Sequence, residues 1–577
     1  MSGLRRFAAV LALTWATSIT LPFIRRAIAA DGGDPAHGAP ATTQNAPTAV
    51  TPVKPVLHLP SAQEPLSELE LCLGRQEFEY VEIDCATGAE VSDVRLMFSA
   101  PTDFHGRASL LVEDEYRLLP RERITLRAGE RNPIWIVFST HGAGEGRYRF
   151  RLSLQPPDAP PTTLDIALVV LPIDCPRLDD VYVNAFWSGF FCIFGGQGRL
   201  FSDVRDPDGM MQLWERCVQD QRDWGQNMLE VRFMFGSRED ALLQRYIRVV
   251  RFEKGYLPVL DLSGWDPILD VARRNGMRHV VFRYGYLAPS WRPPDYEKLA
   301  PEQQREVDFY ILSQLMTHLR SRGFDRIFWY LMDEIRPYAS VVDPVIENMV
   351  AHRKAFPDLE FAGSGFANHS LHDAMRGDGT IQGRGLEHLA PHLGWMAPYW
   401  NVQSVFRWLQ SGELKLAPRG IIATQVAAIY TEQRYIYNRR YVWPLWLAGG
   451  TGYQIYGYHH EAPEVKYSAV LAGTDGPVYT PEYASLVDAH EDFQYLQLCS
   501  KVIRDLRAGG NAQRADAFQS ALDSIVGRED SLLPLKFKPP ARYDWGRAPI
   551  PYLECDEAGI RLARRRIMEL LLEFQDR

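Results

Sequence analysis

Residues 326–337 read RIFWYLMDEIRP. Ile327 to Met332 form an apolar run rich in aromatic residues, the composition of a buried strand and too short to stand as a helix. The run stops on two adjacent carboxylates, Asp333 and Glu334, followed by Ile335, Arg336 and Pro337. The segment therefore predicts a strand over 326–334 that ends on two acids. What surrounds it decides the architecture in which that strand sits.

Segments of the same kind recur on both sides: VYVNAFW (181–187), MLEVRFMF (228–235), GYLPVLDL (255–262), RHVVFRYGY (278–286), LEFAGSG (359–365), LGWMAPYW (393–400), GIIATQVA (420–427) and GTGYQIYGY (450–458). Helical segments intervene, such as PEQQREVDFYILSQLMTHLRSRG (301–323), where apolar residues return at three- and four-residue steps. This alternation over 178–475 predicts an α/β fold, a (β/α)8 TIM-type barrel. A doubly wound nucleotide-binding sheet is disfavoured because GGQG at 195–198 has neither the spacing nor the helix needed to cradle a pyrophosphate.

Upstream, residues 66–177 change to short alternating runs (FEYVEIDC, DVRLMFSA, RASLLVED, RITLRAG, NPIWIVFST, GRYRFRLSLQ, TLDIALVVLP) separated by Gly, Pro and Asp. Such spacing predicts an antiparallel β-sandwich preceding the barrel. Downstream, 476–577 reads as a helical C-terminal extension packing on the barrel. Residues 31–65, rich in Pro, Ala, Thr and Gly, read as a flexible linker. The first 30 residues have a basic start at Arg5 and Arg6, an apolar stretch from Phe7 to Phe23, and small residues at Ala27 and Ala29. They predict a signal peptide and an exported, periplasmic or extracellular protein. Arg25 and Arg26 before the presumed cleavage site leave an uncleaved membrane anchor as the alternative.

A net charge of −9 with no Lys/Arg block argues against nucleic acid as a partner. Seven cysteines without a CxxC pair signal no zinc site; Cys72 and Cys85 are the pair a disulfide could join, and the remainder read as small buried residues. No cofactor or metal is expected. The HHE of His459, His460 and Glu461 lacks the four-residue step that sets two His on one helical face, and DVRDPDG (203–209) lacks the distal Glu of a calcium loop and reads as a turn.

In a barrel of this kind reacting groups sit at the C-terminal ends of the strands, where Asp333 and Glu334 fall. Neighbouring strand residues face opposite sides, so the two acids can act together only if the strand twists or ends there. Trp187, Tyr284, Tyr286, Trp395, Tyr399, Trp400, Tyr456 and Tyr458 fall at or near the ends of other strands. A ring of aromatics around two carboxylates suits a sugar, whose apolar face stacks on rings while polar groups hold its hydroxyls. The candidate substrate-binding residues are Trp187, Tyr284, Asn368, Trp395, Tyr399, Trp400 and Tyr456, with a glycan as the expected partner.

Taken together, WYLMDEIRP, the sandwich stretch NPIWIVFSTHGAGEGRYRFRLSL with its LP exit, and YVWPLWLAGGTGYQIYGYHH followed by DGPVYTPEYASLVDAHEDFQYLQL resemble glycoside hydrolase family 123 over roughly 66–505. The chain resembles a distant member: Ile335 and Arg336 stand where the family commonly has Pro, and the closing helix lacks its usual Arg. The resemblance implies a retaining, substrate-assisted β-N-acetylhexosaminidase acting on β-linked N-acetylgalactosamine or a related glycan. It further implies Glu334 as general acid and base, and Asp333 as the group that holds the sugar's acetamide. The alternatives are a barrel glycosidase with a direct carboxylate nucleophile, for which Glu230, Asp261 and Glu461 are candidates, and a non-catalytic carbohydrate-binding protein.

Overall fold

In the computed structural model of the chain the described residues are 54–60, 64–186, 188–195, 200–201, 204, 206–232, 237–283, 287–333, 339–364, 389–397, 415–417, 420–426, 434–447, 449–455, 457–459, 468–473, 476–538, 550–553 and 555–575. The segment expected as a signal peptide lies outside them.

The N-terminal part holds two five-stranded sheets. One runs Val56–His58, Phe78–Ala86, Pro133–Ser139, Arg107–Asp114, Arg117–Leu119; the other runs Glu68–Arg75, Thr162–Asp174, Gly146–Gln155, Val91–Ser99, Arg123–Leu126. Alternation dictates the packing: Tyr148, Phe150, Leu152 and Leu154 turn inward, as do Leu164, Ile166, Leu168 and Val170 on the next strand. They share a core with Val81, Ile83, Ile134, Ile136 and Phe138 of the facing sheet, where Phe138 and Phe150 meet edge to face at 5.0 Å.

Two strands depart from expectation. Val56–His58 falls inside the segment read as a flexible linker, yet pairs antiparallel with Asp84–Ala86 and buries Leu57; three residues beside prolines carry too little pattern to be read as a strand. Glu68–Arg75 lies parallel, not antiparallel, to Thr162–Asp174.

The second part is built on an eight-stranded sheet. Its strands are β1 (Tyr182–Ala185), β2 (Met228–Val231), β3 (His279–Arg283), β4 (Arg326–Asp333), β5 (Leu359–Ser364), β6 (Leu393–Ala397), β7 (Ile421–Val426) and β8 (Gly452–Ile455). The spatial order is β1, β8, β7, β6, β5, β4, β3, β2, with every neighbouring pair parallel. Helices Pro207–Asp223, Asp266–Arg274, Pro301–Ser321, Ala339–Ala355 and Arg434–Leu447 fall between strands.

The sheet's two edge strands are tied together by Asn227, one residue before β2. Val183 N donates to Asn227 Oδ1 at 2.9 Å, Asn227 Nδ2 to Val181 O at 2.6 Å, and Asn227 N to Val183 O at 3.3 Å. Among the described residues, no helix is long and apolar enough to cross a membrane.

One expected sheet strand is not in the sheet. Leu257–Asp261 forms an antiparallel hairpin with Arg248–Glu253 and leans on helix Pro301–Ser321, where Gln314 bridges Leu260 N at 2.8 Å and Pro258 O at 2.9 Å. Pro258 supplies the reason: it has no N–H to give, and a strand inside a parallel sheet must be bonded on both sides.

The C-terminal part wedges between the two halves rather than lying on the second alone. Helix Pro481–Ala508 is buried along most of its length, and Phe78 N of the sandwich donates to its Glu491 Oε1 at 2.8 Å while its His490 Nδ1 meets the Tyr453 hydroxyl of β8 at 2.9 Å. The terminal helix Glu557–Gln575 brings Arg564 to Glu77 at 2.6 Å and to Glu491 at 2.7 Å. All seven cysteines are free. Cys72 and Cys85, the pair considered for a disulfide, lie on strands of opposite sheets, and burial pushes their thiols up, Cys72 to about 11.

Candidate active site

Because the eight strands run parallel, their C-terminal residues, Ala185, Val231, Arg283, Asp333, Ser364, Ala397, Val426 and Ile455, all belong to one end of the sheet. Chemistry on such sheets gathers at that end. Trp187, Tyr284, Glu334, Asn368, Tyr399, Trp400 and Tyr456 follow these strand ends in the chain and themselves lie outside the described residues, as do Tyr286, His460 and Glu461.

The backbone of β4 is described through Asp333, and its register holds a decisive detail. Tyr330 pairs with Ala362 of β5, but Met332 then pairs with Gly363 and Asp333 with Ser364. β4 thus carries one residue more than its partner, Leu331, and the extra residue resets the alternation. Counted through the register, Asp333 is in phase with Ser364 and hence with Ala362, which belongs to the inner cluster of the sheet. Without the bulge Asp333 would be out of phase with Tyr330's face.

Trp395, expected in the substrate mouth, is only 1% exposed and sits in the inner cluster with Phe186, Met228, Val281, Phe328, Tyr330 and Ala362. Its indole meets Phe328 edge to face at 6.0 Å. It is the third residue of β6, so the strand carries it into the packed interior rather than to the open end. Tyr458 is likewise buried, its hydroxyl near Asp220 Oδ2 at 3.4 Å and Cys217 O at 3.4 Å.

Two carboxylates offered as direct nucleophiles are held in other duties. Glu230 of β2 is buried; its Oε1 accepts from Arg283 Nε at 2.9 Å and its Oε2 from Ser188 N at 2.8 Å. Asp261 sits on the hairpin outside the sheet, where its Oδ1 accepts from Ser263 Oγ at 2.6 Å and from Ser263 N at 3.1 Å. Hydrogen bonds from Ser263 hold its carboxyl below the usual range.

Sequence reasoning did not find Arg283, Ser188 or Gln226. Gln226 Nε2 donates to Ser188 Oγ at 2.9 Å and to Met228 O at 2.8 Å, so these residues form one buried polar network at the ends of β1, β2 and β3. The available signal was a Glu inside MLEV and an Arg closing HVVFR: opposite charges on adjacent buried strands must find each other.

Elsewhere, Asp206 of the suspected turn caps helix Pro207–Asp223 by accepting from Gly209 N at 2.7 Å. His459 is buried with Nδ1 at 3.1 Å from Val470 O.

No family model matches the chain. No curated protein matches it by sequence. Among solved structures, the chain has the fold of a family 123 glycoside hydrolase from Clostridium perfringens, a protein described in connection with glycolipid glycan hydrolysis. The TM-score is 0.60 at 10% identity, covering 91% of this chain and 98% of that one. At the level of fold, the resemblance drawn from the motifs is therefore borne out. A family 2 β-galacturonidase from Eisenbergiella tayi aligns with a TM-score of 0.31 at 11% identity over 74% of this chain and 73% of its own. A family 5 xyloglucanase from Bacteroides ovatus aligns at 0.25 and 9% over 75% and 99%.

Proposed function

We propose that the protein is an exported glycoside hydrolase, retaining and substrate-assisted, that cleaves a β-linked N-acetylhexosamine such as N-acetylgalactosamine. On this proposal the eight-stranded sheet is a closed (β/α)8 barrel and Asp333 and Glu334 stand at its mouth. The observation that carries the proposal is the end of β4: in a chain with the fold of a family 123 enzyme, a bulge at Leu331 brings Asp333 into the inner phase of the sheet immediately before Glu334.

The chemistry follows from the two acids and the substrate. The 2-acetamido oxygen attacks the anomeric carbon while Glu334 delivers a proton to the departing glycosidic oxygen, and the C–O bond breaks to leave an oxazolinium ring. Glu334, now a carboxylate, takes a proton from water as the water's oxygen opens that ring. Two inversions at one carbon return the original anomeric configuration. Asp333 stays ionised, accepts from the acetamide N–H and offsets the developing positive charge. Adjacent carboxylates suit this division because the charge on one raises the pKa of the other, keeping a proton available on Glu334.

A panel of aryl glycosides tests the proposal. The wild-type chain should hydrolyse the 2-acetamido-2-deoxy-β-glycoside, be inhibited by a thiazoline analogue of the oxazolinium ring, and lose at least about a hundredfold in kcat on Glu334→Gln. Full activity in Glu334→Gln, or a covalent glycosyl-enzyme trapped on a carboxylate, would overturn it.

A further inference from the structure

We infer that Glu230 and Arg283 are a positioning pair that sets the end of β4, and with it the reacting carboxylates; the catalytic part of this inference rests on the function proposed above. Both side chains are out of solvent, at 0% and 1% exposure. Burying a carboxylate and a guanidinium strips both of water before their attraction is counted, so packing alone gives no reason to keep them. Their contacts do supply one.

On one side, Glu230 holds the chain just past β1. Its Oε2 accepts from Ser188 N at 2.8 Å and more weakly from Gly189 N at 3.4 Å. Ser188 is fastened further by Gln226, and its carbonyl accepts from Gln221 Nε2 at 2.9 Å. The approach is so close that a Cβ on Gly189 would lie 2.2 Å from the Glu230 carbonyl oxygen.

On the other side, Arg283, the last residue of β3, lays its guanidinium over the ring of Tyr330 at 4.5 Å, and Phe186 meets Tyr330 edge to face at 6.0 Å. Tyr330 is the residue at which the register of β4 breaks. The pair therefore runs from the exit of β1, through β2 and β3, to the residue whose placement decides whether Asp333 is in or out of phase. A planar cation clamped by a carboxylate keeps the Tyr330 ring from rotating away, and the bulge beyond it stays where it is. A shift of about 1 Å in a reacting group costs on the order of a hundredfold in rate.

The test uses the full chain and four variants. Glu230→Gln and Tyr330→Leu are expected to lower kcat on the aryl 2-acetamido glycoside at least about tenfold with KM changed less than about threefold, whereas Tyr330→Phe, which keeps the ring face, retains wild-type kcat. Amide hydrogen exchange gives a readout independent of turnover: in Glu230→Gln, peptides covering 184–190 and 326–333 should exchange faster, while those covering 393–397 and the sandwich do not. A folded Glu230→Gln with unchanged exchange at 326–333, or a Tyr330→Phe that falls as far as Tyr330→Leu, would overturn the inference. Glu334→Gln serves as the separate control: if that variant keeps full activity the proposed chemistry fails, and the exchange result still decides the positioning role.

Discussion

Asp492 grips Arg439 with both oxygens, Oδ2 at 2.9 Å from Nε and Oδ1 at 3.0 Å from Nη2, and neither side chain has any exposed surface. The indole of Trp443 donates to the same Oδ2 at 3.1 Å, and Arg439 Nη1 reaches Glu79 of the sandwich at 3.3 Å. Arg564 of the terminal helix also reaches Glu79, at 3.3 Å. One buried charge cluster thus ties together the sandwich, helix Arg434–Leu447, the long helix and the terminal helix. The three nearby arginines hold Glu79 at about 2 in spite of its burial.

Arg439→Leu should destabilise the chain by about 3–5 kcal/mol, because it removes the guanidinium that Asp492 grips with both oxygens and that also faces Asp488, while Arg561 and Arg564 stay beside Glu79. Arg439→Lys should recover only part of the loss, since an ammonium cannot make the two-pronged contact. Urea unfolding midpoints of the two variants against wild type give the comparison.

His490 makes the chain sensitive to acid. Burial, aided by the charge of Arg177, pushes its pKa down to about 3, against about 6.5 in an unfolded chain. The neutral ring is the folded form, so its contribution is complete above pH 6.5 and is lost as pH falls toward 3, by about 1.4 kcal/mol for each pH unit. His490→Gln should flatten that slope when unfolding free energy is measured between pH 7 and 4.

Gly225 holds φ at +81° directly over the His490 ring, where an added Cβ would come within 1.9 Å of it. Gly225→Ala should cost about 2 kcal/mol or more from the left-handed backbone and the overpacking together. In the His490→Ala background the overpacking share should vanish and the backbone share remain, so a double-mutant cycle separates them.

Asp333→Asn should discriminate between substrates. If the carboxylate holds the acetamide, hydrolysis of the aryl 2-acetamido glycoside falls about a hundredfold, while any turnover of the matching glycoside with a plain 2-hydroxyl changes little. Equal losses on both would assign Asp333 a role in shaping the strand end.

Much of the architecture was legible because it rests on periodicity. The inward faces of Gly146–Gln155 and Thr162–Asp174 are written as alternating residues, and β4 is written as an apolar run that stops on acids. Where a single residue type overrides pattern, legibility depends on weighing it: Pro258 turned an expected sheet strand into half of a hairpin.

The order of elements, the strand that runs up to Asp333, and the resemblance of the motifs to family 123 were legible in the sequence itself, since each is a local pattern of side-chain type. The tertiary structure decided what no local pattern contains. It placed Trp395 in the packed interior instead of the mouth, paired Glu230 with Arg283 across two strands, and gave β4 one residue more than β5, so that Asp333 falls in phase with the inner face. The physical reason is common to all three: phase, burial and charge pairing depend on which strand lies alongside, and a strand acquires its neighbours only when the whole sheet has formed.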